Sequence, residues 1–408
     1  MFRLSLLIIA AAFIFVSCGT KGPINSNIEP NIINAPVETK AANTDYKPAF
    51  AGQTRIGGVK TVTPYEGKVL STNLNHPWGI TSLPDGRLLI TEKEGVMRIA
   101  TTAGQLSQPI TGVPPVNSAG QGGLLGLIID PQFSSNRMVY WVFSESTTGG
   151  NLTAVGKGAL SADDKRIENA SIIYRAAPAY PNSMHFGGRI LVDKSGNLLV
   201  STGERSDLQT RPQAQQLNSG FGKVVRITKE GQPAAGNPFT SQQGARPEIY
   251  SYGNRNVQGL AFHPETGDLW ESEFGPRGGD EINRVEAGKN YGWPTITYGL
   301  EYGGQKVGGG LTQQAGMEQP VYYWDPVVSP SGITFYTGTI MSEWKNNLFV
   351  AGLNSNHIVR LVIRNNAVAG EERLLDKEGQ RFRDITQGTD GALYAVTDEG
   401  RLYRLGKK

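Results

Sequence analysis

Cysteine is almost absent: Cys18 is the only one in 408 residues. That excludes an intrachain disulfide framework and the paired-cysteine spacings of structural zinc sites. Histidine is scarce too, with His76, His185, His263 and His357 as the whole supply. No Walker loop, Rossmann glycine fingerprint or Gly-x-Ser-x-Gly elbow occurs, so nucleotide-binding and serine-hydrolase chemistry lose their usual signatures. Charge of one sign is not in excess: 39 basic side chains face 36 acidic ones. A duplex-binding surface would concentrate basic residues, so nucleic acid is not expected as a partner. A sustained helical period is also missing. The longest apolar run, Leu4 to Val16, is too short to span a bilayer as a mature helix.

That run follows Met1-Phe2-Arg3 and ends in Phe15-Val16-Ser17-Cys18-Gly19, the pattern of an export signal. Cys18 reads either as a stray residue inside a cleaved signal or as a lipobox cysteine; only the second gives a lone thiol a purpose, as the site of acylation. Residues 1–18 are therefore read as a lipoprotein signal. Gly19, where an aspartate would suit inner-membrane retention, resembles the outer-membrane type, on its periplasmic side or at the cell surface. Residues 19–57, rich in Asn, Pro, Thr, Ala and Lys with little periodicity, are expected to form a flexible tether.

Glycine is abundant, at 52 residues, and has no collagen period. It marks turns between short strands. One unit recurs: a turn followed by an apolar strand. Clear copies are Pro84-Asp85-Gly86 before Arg87-Leu88-Leu89-Ile90, and Lys194-Ser195-Gly196 before Asn197-Leu198-Leu199-Val200. Thr266-Gly267 before Asp268-Leu269-Trp270 and Thr389-Asp390-Gly391 before Ala392-Leu393-Tyr394 continue it. Weaker copies precede Met138-Val139-Tyr140-Trp141 and Leu348-Phe349-Val350. Six such units, roughly 45–80 residues apart, predict an all-β, six-bladed β-propeller of four-stranded antiparallel blades over residues 58–408, in preference to a β-sandwich. In a propeller, loops from distant blades converge at one end of the central channel.

Three stretches carry candidate chemistry. Asn182-Ser183-Met184-His185-Phe186-Gly187-Gly188 places an imidazole beside glycines that allow close approach of a ligand. Ser251-Tyr252-Gly253-Asn254-Arg255-Asn256-Val257-Gln258 crowds a cation and amides into a turn. Glu273-Phe274-Gly275-Pro276-Arg277-Gly278-Gly279-Asp280-Glu281 offers carboxylates and free carbonyls, the hard oxygen donors that calcium takes. Alone, the first reads more readily as a structural histidine, and the other two read as well as a polar turn and a solvated acidic loop.

Together and in this order, they resemble the soluble aldose sugar dehydrogenases that use pyrroloquinoline quinone (PQQ), the glucose/sorbosone dehydrogenase family. Asn75-His76-Pro77-Trp78-Gly79, Gly120-Gln121-Gly122-Gly123-Leu124-Leu125-Gly126-Leu127 and Arg381-Phe382-Arg383-Asp384 belong to the same resemblance, which runs from about Pro77 to the C-terminus. The family is a six-bladed propeller. The resemblance implies oxidation of an aldose at the anomeric carbon, with PQQ and calcium as cofactors and an external quinone or cytochrome as electron acceptor. It implies His185 as general base and Arg255 beside the reacting quinone carbonyl. Gln121, Asn256, Arg381 and Arg383 would bind the cofactor. The carbonyls of Gly275 and Pro276 would hold its calcium, and Glu281 and Tyr291 a second, structural calcium. Two departures stand out. Leu353-Asn354 replaces a Leu-Lys pair, so Asn354 brings a hydrogen bond without a charge. Met184 stands before the base where some relatives carry Asp or His. A non-catalytic binding propeller of the same ancestry and a calcium-dependent lactonase-type hydrolase are the competing readings.

Overall fold

The computed structural model describes residues 31–408. The six turn-plus-strand units become the second strands of six blades. The first strands, Pro77–Ser82, Leu124–Ile129, Ile190–Val192, Val257–Phe262, Pro330–Phe335 and Phe382–Gln387, contact one another in a closed ring around the channel. Within each blade, successive strands pair antiparallel. The ring is closed by Tyr65–Ser71, which pairs with the C-terminal strand Leu402–Lys407 and completes the sixth blade.

The blades differ at their outer edges. The first has three strands, ending at Val96–Ala100. Its fourth position is filled by an irregular segment bridged through Met97 to Ile110 and Ala100 to Leu106. The fifth blade is widened to six strands by Gly57–Lys60 and Asn31–Pro36.

Most second strands are buried from end to end: Leu88–Glu92, Leu269–Glu273, Leu348–Gly352 and Leu393–Thr397 expose nothing. A blade packs on both faces against its neighbours, so these strands are buried on both sides rather than at every second residue. The core is correspondingly split into one cluster per seam. Leu89, Met97, Leu124 and Trp141 fill the first seam. Tyr140, Val155, Ile190 and Val225 fill the next. Ile80, Ile90, Tyr394 and Val396 close the ring between the last blade and the first. Each large side chain buried in this way contributes roughly 1.5–3 kcal/mol.

The tether expected over 19–57 is corrected from Asn31 onward. Besides the edge strands, Gln53 is fully buried and donates to the Pro320 carbonyl, and Glu38 pairs with Arg373 at 2.8 Å. The segment docks through hydrogen bonds, which leave no apolar period in the sequence. The signal segment and Cys18 lie outside the described residues. Among the described residues, no helix is long and apolar enough to cross a membrane.

Candidate active site

In an antiparallel hairpin, the start of one strand and the end of the next lie at the same end. Six radial hairpins therefore bring twelve chain segments to one mouth of the channel. A cavity of about 640 Å3 opens there, and all six blades line it. Gln121, His185, Arg381 and Arg383 stand at or before first strands. Lys93, Phe274, Gly275, Asn354 and Asp398 follow second strands.

His185 is buried at the cavity wall with φ of 47°, a backbone region that few residues other than glycine enter. Gly187, at φ of 67°, keeps the turn tight: a Cβ there would come within 2.6 Å of the Ser201 carbonyl. The Gln121 side chain accepts the His185 amide at 2.9 Å. The ring itself is fixed by Glu204, whose Oε1 lies 2.7 Å from Nδ1. A carboxylate only accepts, so Nδ1 carries the proton and Nε2 keeps its lone pair. Burial, and next the charge of Arg255, push the imidazole down to about 4, against the pull of Glu204 in the other direction. At neutral pH His185 is therefore an uncharged, oriented base.

Arg381 and Arg383 share one carboxylate. Arg381 Nε donates to Asp398 at 3.0 Å, and Arg383 donates through Nε and Nη2 at 2.8 and 3.1 Å. Asp398 is held below its usual range by these two cations, against the upward push of burial, which is the largest effect on it. Arg383 also lies over the Trp78 ring, 5.9 Å from its centroid. Two guanidinium groups at one rim suit a ligand with several carboxylates. Asn354 is exposed beside Leu353 on the neighbouring fifth blade, in the same cavity.

Arg255 and Asn256 sit beneath the wall rather than on it. Arg255 donates to the Gly275 carbonyl at 2.8 Å and stacks over Trp293. The Asn256 oxygen accepts the Gly187 amide at 2.9 Å, while its buried amide nitrogen has no partner. Both backbone amides, at 255 and 256, donate to Glu273. Burial pushes Glu273 up to about 7 in spite of these bonds. Gly275 and Pro276 do reach the cavity. Glu281 and Tyr291 meet around a separate hole of about 10 Å3, also lined by Glu273 and Trp293. The Tyr291 hydroxyl is committed to the Arg284 carbonyl at 2.7 Å, which leaves its main-chain oxygen for any ligand. Glu281 is raised by burial and by its neighbour Glu273.

Sequence reasoning missed Glu204 and Asp398, and it named Glu273 only as one carboxylate of an acidic stretch, with no role of its own. Each stands at the end of a second strand or within three residues after it, in Thr202-Gly203-Glu204, Thr397-Asp398 and Ser272-Glu273. An acid at that position in three blades is the signal that could have found them. The other histidines are elsewhere occupied. His263 accepts backbone amides and packs edge-on against Phe335, and His357 lies 2.7 Å from the Ser355 carbonyl. His76 is on the rim, paired with Glu94 at 2.8 Å.

Known proteins resemble this chain in sequence and fold. The glucose/sorbosone dehydrogenase family model matches residues 74–404. Aldose sugar dehydrogenase YliI of Escherichia coli (strain K12) is 41% identical over 346 residues, which cover 84% of this chain and 92% of that protein. The solved apo form of the soluble aldose sugar dehydrogenase from Escherichia coli has a TM-score of 0.81 at 39% identity, covering 84% of this chain and 100% of that one. The PQQ-bound form of an aldose sugar dehydrogenase from Streptomyces coelicolor has a TM-score of 0.69 at 30% identity, covering 85% and 99%. The chain belongs to the glucose/sorbosone dehydrogenase family.

Proposed function

We propose that the protein oxidises aldose sugars at the anomeric carbon to the lactone, with PQQ and calcium as cofactors and an external quinone or cytochrome as the final acceptor. The observation that carries this is the neutral His185, oriented by Glu204 and facing a cavity with two arginines on its rim. A binding module needs no oriented base.

The residues fit the cofactor. The cavity, about 640 Å3, has the size of small-molecule sites, and its cationic rim matches the carboxylates of PQQ. When bound, PQQ supplies a quinone that accepts hydride, and calcium polarises it as a Lewis acid. Arg381 and Arg383 would bind the carboxylates, with Asp398 holding their guanidinium groups in place. Gln121, whose oxygen is used by the His185 amide, keeps its NH2 group to donate. Asn354 would donate a neutral hydrogen bond. The Asn256 amide, unpartnered behind Gly187, would act through that wall. Arg255 places a cation beside Gly275, and this cation would stabilise negative charge on a quinone held there. His185 Nε2 takes the proton of the anomeric hydroxyl as hydride leaves the same carbon, and the lactone carbonyl forms.

The carbonyls of Gly275 and Pro276 would hold the catalytic calcium; Arg255 takes one lone pair of the Gly275 oxygen and leaves the other. Glu281 and the Tyr291 main chain, around a hole of about 10 Å3, suit a second ion. Chelating calcium is expected to abolish both PQQ uptake, followed by its absorbance, and aldose-dependent dye reduction. Added calcium should restore both. Full activity in metal-free protein would remove calcium from the mechanism.

Cys18 would anchor the enzyme to a membrane through acyl chains. Cys18→Ser is expected to release it into the soluble periplasmic fraction or to leave an uncleaved precursor. Unchanged fractionation and processing would exclude lipidation.

A further inference from the structure

The loop Gly275–Gly279 contains three glycines in five residues, so its own chain does little to hold its shape. Neighbours impose that shape. The Gly275 amide donates to Asp280 at 2.8 Å, and Arg277 exchanges backbone hydrogen bonds with Leu300. The Gly279 amide donates to the Trp324 carbonyl at 2.9 Å. At Gly278, with φ of 85°, the buried Asp325 carboxylate lies so close that a Cβ would meet its Oδ1 at 2.8 Å.

Asp325 is in turn held by the N-terminal segment. Its Oδ1 accepts the backbone and side-chain amides of Asn43 at 2.9 and 2.8 Å. Its Oδ2 accepts the amide and hydroxyl of Thr44 at the same two distances, 2.9 and 2.8 Å. A carboxylate has about four lone-pair sites, and two consecutive residues fill them all. Arg55 adds a bond to the Asp325 carbonyl at 2.7 Å. The family match begins only at residue 74, so this strap lies outside it.

We propose that residues 38–55 form a strap that positions the Gly275–Gly279 loop through Asp325, and so sets the affinity for calcium and PQQ. The inference rests on the calcium role given above to Gly275 and Pro276. With the strap docked, Asp325 is fixed against Gly278 and the loop carbonyls are ordered before a ligand arrives. Without it, the carboxylate must find other donors, and the cost of ordering a glycine loop falls on binding. Asn43, Thr44 and Asp325 are positioning residues.

The test is the calcium concentration that gives half-maximal PQQ uptake, read by PQQ absorbance, without sugar. Asn43→Ala with Thr44→Val is expected to raise it about tenfold, the lower range for losing an outer partner of a metal site. Thr44→Ser, which keeps the hydroxyl, should stay at the parental value. Thr61→Val is the stability control. Thr61 follows the strap in the chain, and its side chain bonds to Glu372 and Trp344 rather than to Asp325 or the loop. It should lower the melting temperature and leave the calcium requirement alone. Should the double variant fail to fold, Thr44→Val against Thr44→Ser makes the same comparison. Equal calcium requirements in parent and strap variants overturn the strap proposal while leaving the calcium role standing, and so does an equal shift in Thr61→Val. A parent that takes up no PQQ with calcium overturns both.

Discussion

Replacing His185 by asparagine is expected to leave a folded propeller that still takes up PQQ and calcium but oxidises aldoses 10²–10⁴-fold more slowly, the usual contribution of a positioned general base. The fold should survive because the core lies in the seams between blades, whereas His185 is on a turn at the channel mouth. Cofactor uptake should survive because Arg381, Arg383 and the Gly275–Pro276 carbonyls are untouched. The pH dependence gives a second check. With His185 pushed down to about 4, the base is fully available above roughly pH 5, so the parent should show no acid limb near 6.5. Stability follows the same group. Its folded pKa lies below the unfolded value of about 6.5, so its contribution is present above 6.5 and is lost as pH falls toward 4, by about 3 kcal/mol. His185→Asn should remove that component. Raised carboxylates such as Glu273 and Asp280 act with the opposite sign but equally in both proteins, so they cancel in the comparison. A variant that oxidises sugar at the parental rate with PQQ bound would make His185 structural.

The repeat was readable because every blade starts its second strand after a tight turn. Even the weakest copies, before Met138 and Leu348, mark true second strands. The uneven edges were not readable. The fourth position of the first blade is held by a few backbone bonds around Ser107 and Ile110, which need no apolar pattern. The docked segment before Lys60 escaped for a related reason: Asn43, Thr44 and Arg55 bind through polar atoms, and their composition is that of a linker.

At the site, His185, Gln121, Gly275, Pro276, Asn354, Arg381 and Arg383 do converge on one cavity, although 64 residues separate Gln121 from His185, a pair in direct contact. Arg255 and Asn256 stand behind the wall, and whether a residue faces a channel or supports it depends on the blade's twist, which residue type does not encode. Glu204 was hidden for another reason. In Gly203-Glu204-Arg205-Ser206-Asp207 it looks like part of a solvated charged turn. In fact Arg205 is buried too, stacked 4.1 Å from the Phe186 ring centroid and bonded to the Asn151 carbonyl, so the turn folds inward and carries Glu204 to the histidine.

That hidden carboxylate carries the last expected result. Glu204→Gln is nearly isosteric, so the fold, the cavity and PQQ uptake should be preserved. What changes is the proton on His185. Glu204 can only accept, which keeps hydrogen on Nδ1 and the lone pair on Nε2. Glutamine carries a donor as well, and its NH2 group can bond to Nδ1 and hold the proton on Nε2, where a base is needed. The substitution also removes the negative charge that would stabilise the imidazolium formed when the sugar's proton arrives. Both effects fall on the transition state and not on sugar binding, so kcat should drop about 10²–10⁴-fold with KM nearly constant, the pattern produced when the orienting acid of a histidine base is neutralised elsewhere. Glu204 raises the imidazole against burial, so its loss should lower the His185 pKa further and push any acid limb to lower pH. Glu204→Asp keeps the charge but shortens the reach, and should recover part of the rate. If Glu204→Gln turned over sugar like the parent, the short contact to Nδ1 would be a packing feature, and the orientation of the base would have to come from the Gln121 bond to the His185 amide alone.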